Sequence, residues 1–236
     1  AFFTRAVIDW LPWLEPMAKA DLTPRHVAGL VDPARANSDY FRLLVRDPEI
    51  IEARLFELDS PFVALHPSYL EYAKPSFPPG RPLLEAVADL NRRIYQDFTY
   101  DPHFTTVATP LKEVLRQRRG VCQDFAHLAI ACLRGLGLAA RYVSGYLETI
   151  PPPGQPRLIG ADASHAWLAV YVPGVDWAEF DPTNDCMPQD QHITLAWGRD
   201  YGDVAPLTGV MTGGGSHSLE VSVDVAPQPE AVAPAT

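Results

Sequence analysis

RRGVCQDFAHL, residues 118–128, is the stretch on which the reading of this chain turns. A glycine turn at Gly120 leads to Cys122, which stands in the first residues of a segment with helical periodicity. Phe125, Leu128, Ala129, Cys132, Leu133 and Leu136 fall close to a 3.6-residue stripe, and Gly135 or Gly137 should end the helix. Unpaired N–H groups and the macrodipole at a helix start favour a thiolate, the form in which sulfur is a nucleophile. A cysteine at such a place can equally be a small apolar residue in a core, so the motif needs partners.

Those partners lie downstream, where the period changes from 3.6 to 2. ARYVSGYLET (140–149), SHAWLAVYV (164–172) and DWAEFDP (176–182) alternate and are rich in Val, Tyr and Trp, so they read as strands. HITLAWGRD (192–200) and SHSLEVSVDVAP (216–227) read as later ones. The connector PPPGQPRLIGADA (151–163) is too long for a tight hairpin, whereas Pro173-Gly174 is a turn signal between two strands. An antiparallel hairpin turning there brings His165, at the start of one strand, near Asp181, at the end of the next. His165 can then take the Cys122 proton while Asp181 fixes the tautomer and orientation of the ring, the base-plus-orienter logic of a triad.

Upstream, LLEAVADLNRRIYQDF (83–98) places Leu84, Val87, Leu90, Asn91, Ile94 and Phe98 on one helical stripe. Thr109 before Pro110 reads as a helix start for LKEVLRQR, with an end near Gly120. SFPPGRP (76–82) is a connector, and YFRLLVRDPEIIEARLFEL (40–58) is helix-like but broken at Pro48. The expected organisation is an N-terminal helical or irregular segment over 1–80, a catalytic core over 81–226 and a disordered tail over 227–236.

With 236 residues, 47% of them apolar, the chain can bury one sizeable core. Its net charge of -10 disfavours a phosphate-tracking surface, so no nucleic-acid partner is expected. Cys122, Cys132 and Cys186 are odd in number and widely spaced, which reads as reduced thiols and a cytoplasmic setting. No apolar run approaches the roughly 20 residues a membrane helix needs, so no membrane partner is expected either.

GVCQDFAHLAIACLRGLGLAARYVSGYL (120–147) followed by DASHAWLAVYVPGVDWAEFDPTN (162–184) resembles the core of the transglutaminase-like superfamily, in its bacterial cysteine-protease-like branch. The resemblance spans about residues 80–226 and carries over the chain order Cys, His, Asp. It implies an α+β, papain-like fold with a nucleophile helix packed on an antiparallel sheet. It also implies Cys122 as nucleophile, His165 as general base and acid, and Asp181 as orienting carboxylate. The implied activity is acyl transfer on amide bonds of a protein or peptide through a thioester, with hydrolysis ahead of amine transfer or glutamine deamidation. No cofactor is expected, and the absence of a D-x-[DN]-x-[DN]-G loop argues against calcium. No Trp shortly precedes Cys122 to steady an oxyanion. The Cys122 N–H is the expected donor, with Gln117 and Gln123 as side-chain candidates and Trp167 as a wall of the site or a core residue. Residues 1–75 do not read as the complete β-sandwich that often precedes this core.

Two readings from other classes compete. One is a zinc site built from Cys122, His127, His165 and Cys186, whose spacings match no familiar ligand pair. The other is a binding module on the same fold without catalysis. His127 reads as a buried, hydrogen-bonded histidine, Asn184 and Asp185 as caps of the turn after Asp181, and His103, His192 and His217 carry no assignment.

Overall fold

A computed structural model of the chain describes residues 52–148, 163–172, 176–206, 209 and 222–225. Most of the N-terminal segment, residues 151–162 of the connector, the Pro173-Gly174 turn, the bulk of the 216–227 strand and the tail lie outside the described residues.

The helices are α1 (Pro67–Ala73), α2 (Leu83–Asp97), α3 (Leu111–Gln117), α4 (Cys122–Gly135) and the single turn α5 (Tyr201–Val204). The strands are β1 (Thr99–Tyr100), β2 (Arg119–Gly120), β3 (Ala140–Leu147), β4 (Ala163–Val172), β5 (Asp176–Phe180) and β6 (His192–Gly198). β1 and β2 form a short parallel pair. The other four make one antiparallel sheet in the order β5-β4-β3-β6. This is the α+β arrangement that the change of period implies.

Helix α4 is the axis of the fold. Residues 124–134 are all buried, including Ile130 and Ala131 outside the expected stripe, because α1, α2 and the sheet enclose it from several sides. Its C-terminus closes in a Schellman motif: Gly137, at φ 83°, donates to the Arg134 carbonyl at 2.9 Å, and Leu138 to that of Leu133 at 3.0 Å. Arg134 is buried and donates to the carbonyls of Ala140, Leu58 and Arg199 and to Ser60 Oγ, tying this helix end to segments far away in sequence. The main core takes in Val63, Tyr69, Tyr72 and Ala73 together with the inner faces of α2 and α4, so the described part of the N-terminal segment shares it.

Two helix boundaries differ from expectation. Thr109 does not cap α3, since its hydroxyl accepts from the Thr106 N–H at 2.9 Å inside a local turn, and Pro110 occupies the cap position. The same helix stops at Gln117 because Arg118 adopts the left-handed conformation (φ 56°), with its guanidinium over the Tyr72 and Phe98 rings at 4.7 and 4.8 Å. Gly120 is then free for another task at the mouth of α4.

The sheet's register sorts its side chains. Ala140, Tyr142, Ala166, Leu168, Val170, Ala178 and Phe180 share the face that joins the helical core. Val143, His165, Trp167 and Ala169 occupy the other face. In the β3–β6 pairing, Ser144 opposes Ala196 but Gly145 opposes Thr194, so Leu195 is an extra residue in a β-bulge. A one-residue slip exchanges the faces of everything beyond it, so the bulge turns His192 toward the face of His165.

Candidate active site

Cys122 is the first residue of α4, and the structure prepares the ground in front of it. Asp124, on the first turn, reaches back to accept the Val121 N–H at 2.9 Å and the Thr105 hydroxyl at 2.6 Å. A Cβ on residue 120 would lie 2.7 Å from Asp124 Oδ2 and 2.9 Å from its Cβ, so glycine is what admits this cap. The helix therefore starts at a fixed place, with the half-buried Cys122 presented beside its unpaired N–H groups.

His165 and Asp181 meet by register. The β4–β5 pairing ends at Leu168↔Phe180, and one further step sets Asp181 opposite Trp167, diagonal to His165 on the same face. His165 Nε2 lies 2.7 Å from Asp181 Oδ2. A carboxylate only accepts, so Nε2 carries the hydrogen and Nδ1 is left for the sulfur of Cys122, with which the ring also hydrogen-bonds. Burial opposes a charge on this ring, but the hydrogen bonds and charges of Asp181 and Cys122 outweigh it and raise its pKa to about 9.

Asp181 is fully buried. Burial alone would push its carboxyl up. Hydrogen bonds from His165, His192 and Asn184 prevail and hold it well below the usual carboxylate range. Oδ2 receives His165 Nε2, His192 Nε2 at 3.0 Å and Asn184 Nδ2 at 2.7 Å, and Oδ1 receives the N–H groups of Thr183 (2.9 Å) and Asn184 (3.3 Å). The Asp181 loop is held from outside as well, since the buried Asn91 of α2 donates to the Asp181 carbonyl at 3.2 Å and to Asp185 Oδ1 at 3.4 Å. That explains an amide on an otherwise apolar helical stripe.

The remaining candidates divide. Trp167 is both wall and core: it is fully buried, its ring centroid is 5.9 Å from that of His165, and Nε1–H donates to Glu179 at 2.8 Å. Gln123 is half-buried beside Cys122. Gln117 is not brought to the site, because its amide turns back along the exposed face of α3 and donates to Glu113 at 2.8 Å. Tyr100 of β1 is more than half exposed, and the partial burial of its phenol and the nearby Cys122 raise its pKa.

The four proposed zinc ligands are not gathered. His127 faces the core, stacked on Phe62 and tilted against Tyr142, and its Nε2 accepts the Tyr201 N–H at 3.1 Å. Burial holds its pKa down at about 4, so it is a neutral structural histidine. Another group, His165, Asp181 and His192, brings potential ligand atoms within 4.8 Å of one another. Its 2.7 and 3.0 Å separations are those of hydrogen bonds, which already use these atoms. His192 is the site residue that sequence reasoning passed over. No spacing pointed to it, because a bulge sets its facing.

Among the described residues, no helix is long and apolar enough to cross a membrane. The family model described as the transglutaminase-like superfamily matches residues 72–182. An uncharacterized Mycobacterium tuberculosis protein is 55% identical over 162 residues, which are 66% of this chain and 52% of that protein. One from Mycobacterium leprae is 41% identical over 144 residues, 60% of this chain and 50% of that protein. The chain thus spans about half the length of these curated relatives. A crystal structure of a candidate cysteine protease from Cytophaga hutchinsonii superposes with a TM-score of 0.56 at 29% identity, covering 69% of this chain and 51% of that one.

Proposed function

Since residues 72–182 match the transglutaminase-like superfamily, we propose that the chain is a member of it and a cysteine-nucleophile enzyme that hydrolyses amide bonds in proteins or peptides. The observation that carries this reading is the continuous path from the Cys122 sulfur through the His165 ring to a buried, five-fold hydrogen-bonded Asp181.

Asp181 and Cys122 raise the pKa of His165 to about 9, so the ring is disposed to take and hold the proton of the Cys122 thiol, which then reacts as a thiolate. The thiolate attacks the amide carbonyl carbon, and the oxyanion that forms is met by the Cys122 N–H at the open helix start. His165 Nδ1–H then protonates the departing amine as the C–N bond breaks, leaving a thioester on Cys122 and a neutral ring. The ring takes a proton from water, the resulting hydroxide attacks the thioester, and the thiolate leaves with the imidazolium restored. Asp181 stays ionised throughout and holds the Nε2–H tautomer, so that Nδ1 always faces the sulfur.

The test is Cys122→Ala assayed on a peptide library, with thermal unfolding as a control. Turnover should vanish with the transition little moved, and turnover that survives the substitution overturns the reading. Mass analysis of the products separates the outcomes: a released acid is hydrolysis, whereas an added amine would replace protease by transamidase on the same machinery.

A further inference from the structure

We propose that His192 is a positioning residue of this centre: its Nε2–H holds the Asp181 carboxylate in the plane from which it orients His165. The inference rests on the cysteine-enzyme reading above and adds a residue that acts through Asp181 without touching the reacting atoms.

Three features converge on that contact, the first two of them linked. The β6 bulge at Leu195 is what brings His192 onto the face of His165, since an unbroken register would aim it at the opposite side. The bulge in turn depends on Gly145, where a Cβ would lie 2.1 Å from the Ile193 carbonyl oxygen and 2.5 Å from the Trp167 ring. Finally, His192 has only 6% of its side chain exposed, edge-on to Trp167 at 5.2 Å, and its buried Nδ1 has no hydrogen-bond partner among the described residues. A residue needed only for packing would be apolar here and leave no buried nitrogen unmet. Histidine makes sense for the sake of Nε2, and the 3.0 Å contact with Asp181 Oδ2 is what Nε2 does.

The contact fixes the tautomer. Donation to a carboxylate puts a hydrogen on His192 Nε2, and the tautomer with Nδ1 bare is the one that strands no buried N–H. Oδ2 is then gripped by His165, Asn184 and His192, and the carboxylate cannot swing toward one partner. The titratable groups that bear on it are His165 on β4, His192 on β6, Cys122 at the start of α4, and Asp185 and Cys186 of its own loop. Without His192, Oδ2 keeps two of its three side-chain donors and is held less firmly against His165, so the imidazolium is less well supported and the thiolate-imidazolium pair forms at higher pH.

The experiment follows Cys122 alkylation by iodoacetamide against pH, resolved by peptide mass spectrometry, in wild type, His192→Phe, His192→Gln and His165→Ala. His192→Phe should move the acidic limb up by about one unit, a roughly tenfold slower reaction at any pH well below the limb, as expected for a lost hydrogen bond to a charge. His192→Gln, which keeps an N–H near the same place, should stay within about threefold of wild type. A wild-type limb in His192→Phe, or a loss that glutamine does not rescue, overturns the positioning role. If His165→Ala also left the profile unmoved, the enzyme reading itself would fail, a separate result. Should His192→Phe not fold, nitrogen-15 shifts of histidine-labelled wild type decide: a neutral Nε2–H tautomer for His192 supports the proposal, and the Nδ1–H tautomer overturns it.

Discussion

Gly145→Ala tests the architecture behind the site through a single methyl group far from the reacting atoms. The added carbon would stand 2.1 Å from the Ile193 carbonyl oxygen and 2.5 Å from the Trp167 ring, where ordinary contact begins at about 3.4 Å. The carbonyl belongs to the bulged β6 backbone, and Trp167 is fully buried with its N–H tied to Glu179. Neither has a cheap escape. Overpacking of this severity costs about 2–3 kcal/mol, which for a domain of this size lowers the midpoint of thermal unfolding by about 4–12 °C. The less costly relief is for β6 to move out at the bulge, and that carries His192 off Asp181. The variant should therefore lose stability by circular-dichroism melts and also lose Cys122 alkylation at low pH. A midpoint within about 2 °C of wild type would refute the close-approach argument. Lost stability with an unchanged alkylation profile would refute the link between bulge and site.

Asp181→Asn removes the charge and the tautomer control while keeping the volume, and turnover should fall on the order of a thousandfold or more. Cys122 should then label like an ordinary thiol, measured by the same alkylation profile. His127 supplies a stability signature: its folded pKa of about 4 lies below the usual 6.5, so between these values the unfolded chain binds the extra proton and stability falls as the solution is acidified. Urea unfolding should show up to about 3 kcal/mol lost from pH 6.5 to 4 on this account, and His127→Gln should remove that part of the slope.

Much of the site was legible because its parts are local. A glycine, a cysteine and 3.6-residue periodicity locate the start of α4 to the residue, and two alternating strands around a turn signal bring His165 near Asp181. The order of the strands was not legible, since β6 joins the sheet beside β3 and not beside its chain neighbour β5. Nor was the end of α3: a left-handed Arg118 stacked on Tyr72 and Phe98 did the work that a glycine was expected to do. Gln117 was attractive by its spacing alone, and one hydrogen bond to Glu113 turns it away.

The residues that sequence reasoning missed share a cause. Asn91, Gly145 and His192 each act across a long separation, and each is anomalous in its element: an amide on an apolar stripe, a glycine inside a strand, a histidine at the head of an exposed strand. Asn91 holds the Asp181 carbonyl, Gly145 admits the bulge, and the bulge presents His192 to the Asp181 side chain. All three anomalies thus converge on one residue, Asp181. Asp181 is held through its carboxylate from β4, β6 and its own loop and through its carbonyl from α2, and it cannot shift without strain in each of them, so the fixed orientation of the His165 ring is a property of the whole fold and not of these side chains alone.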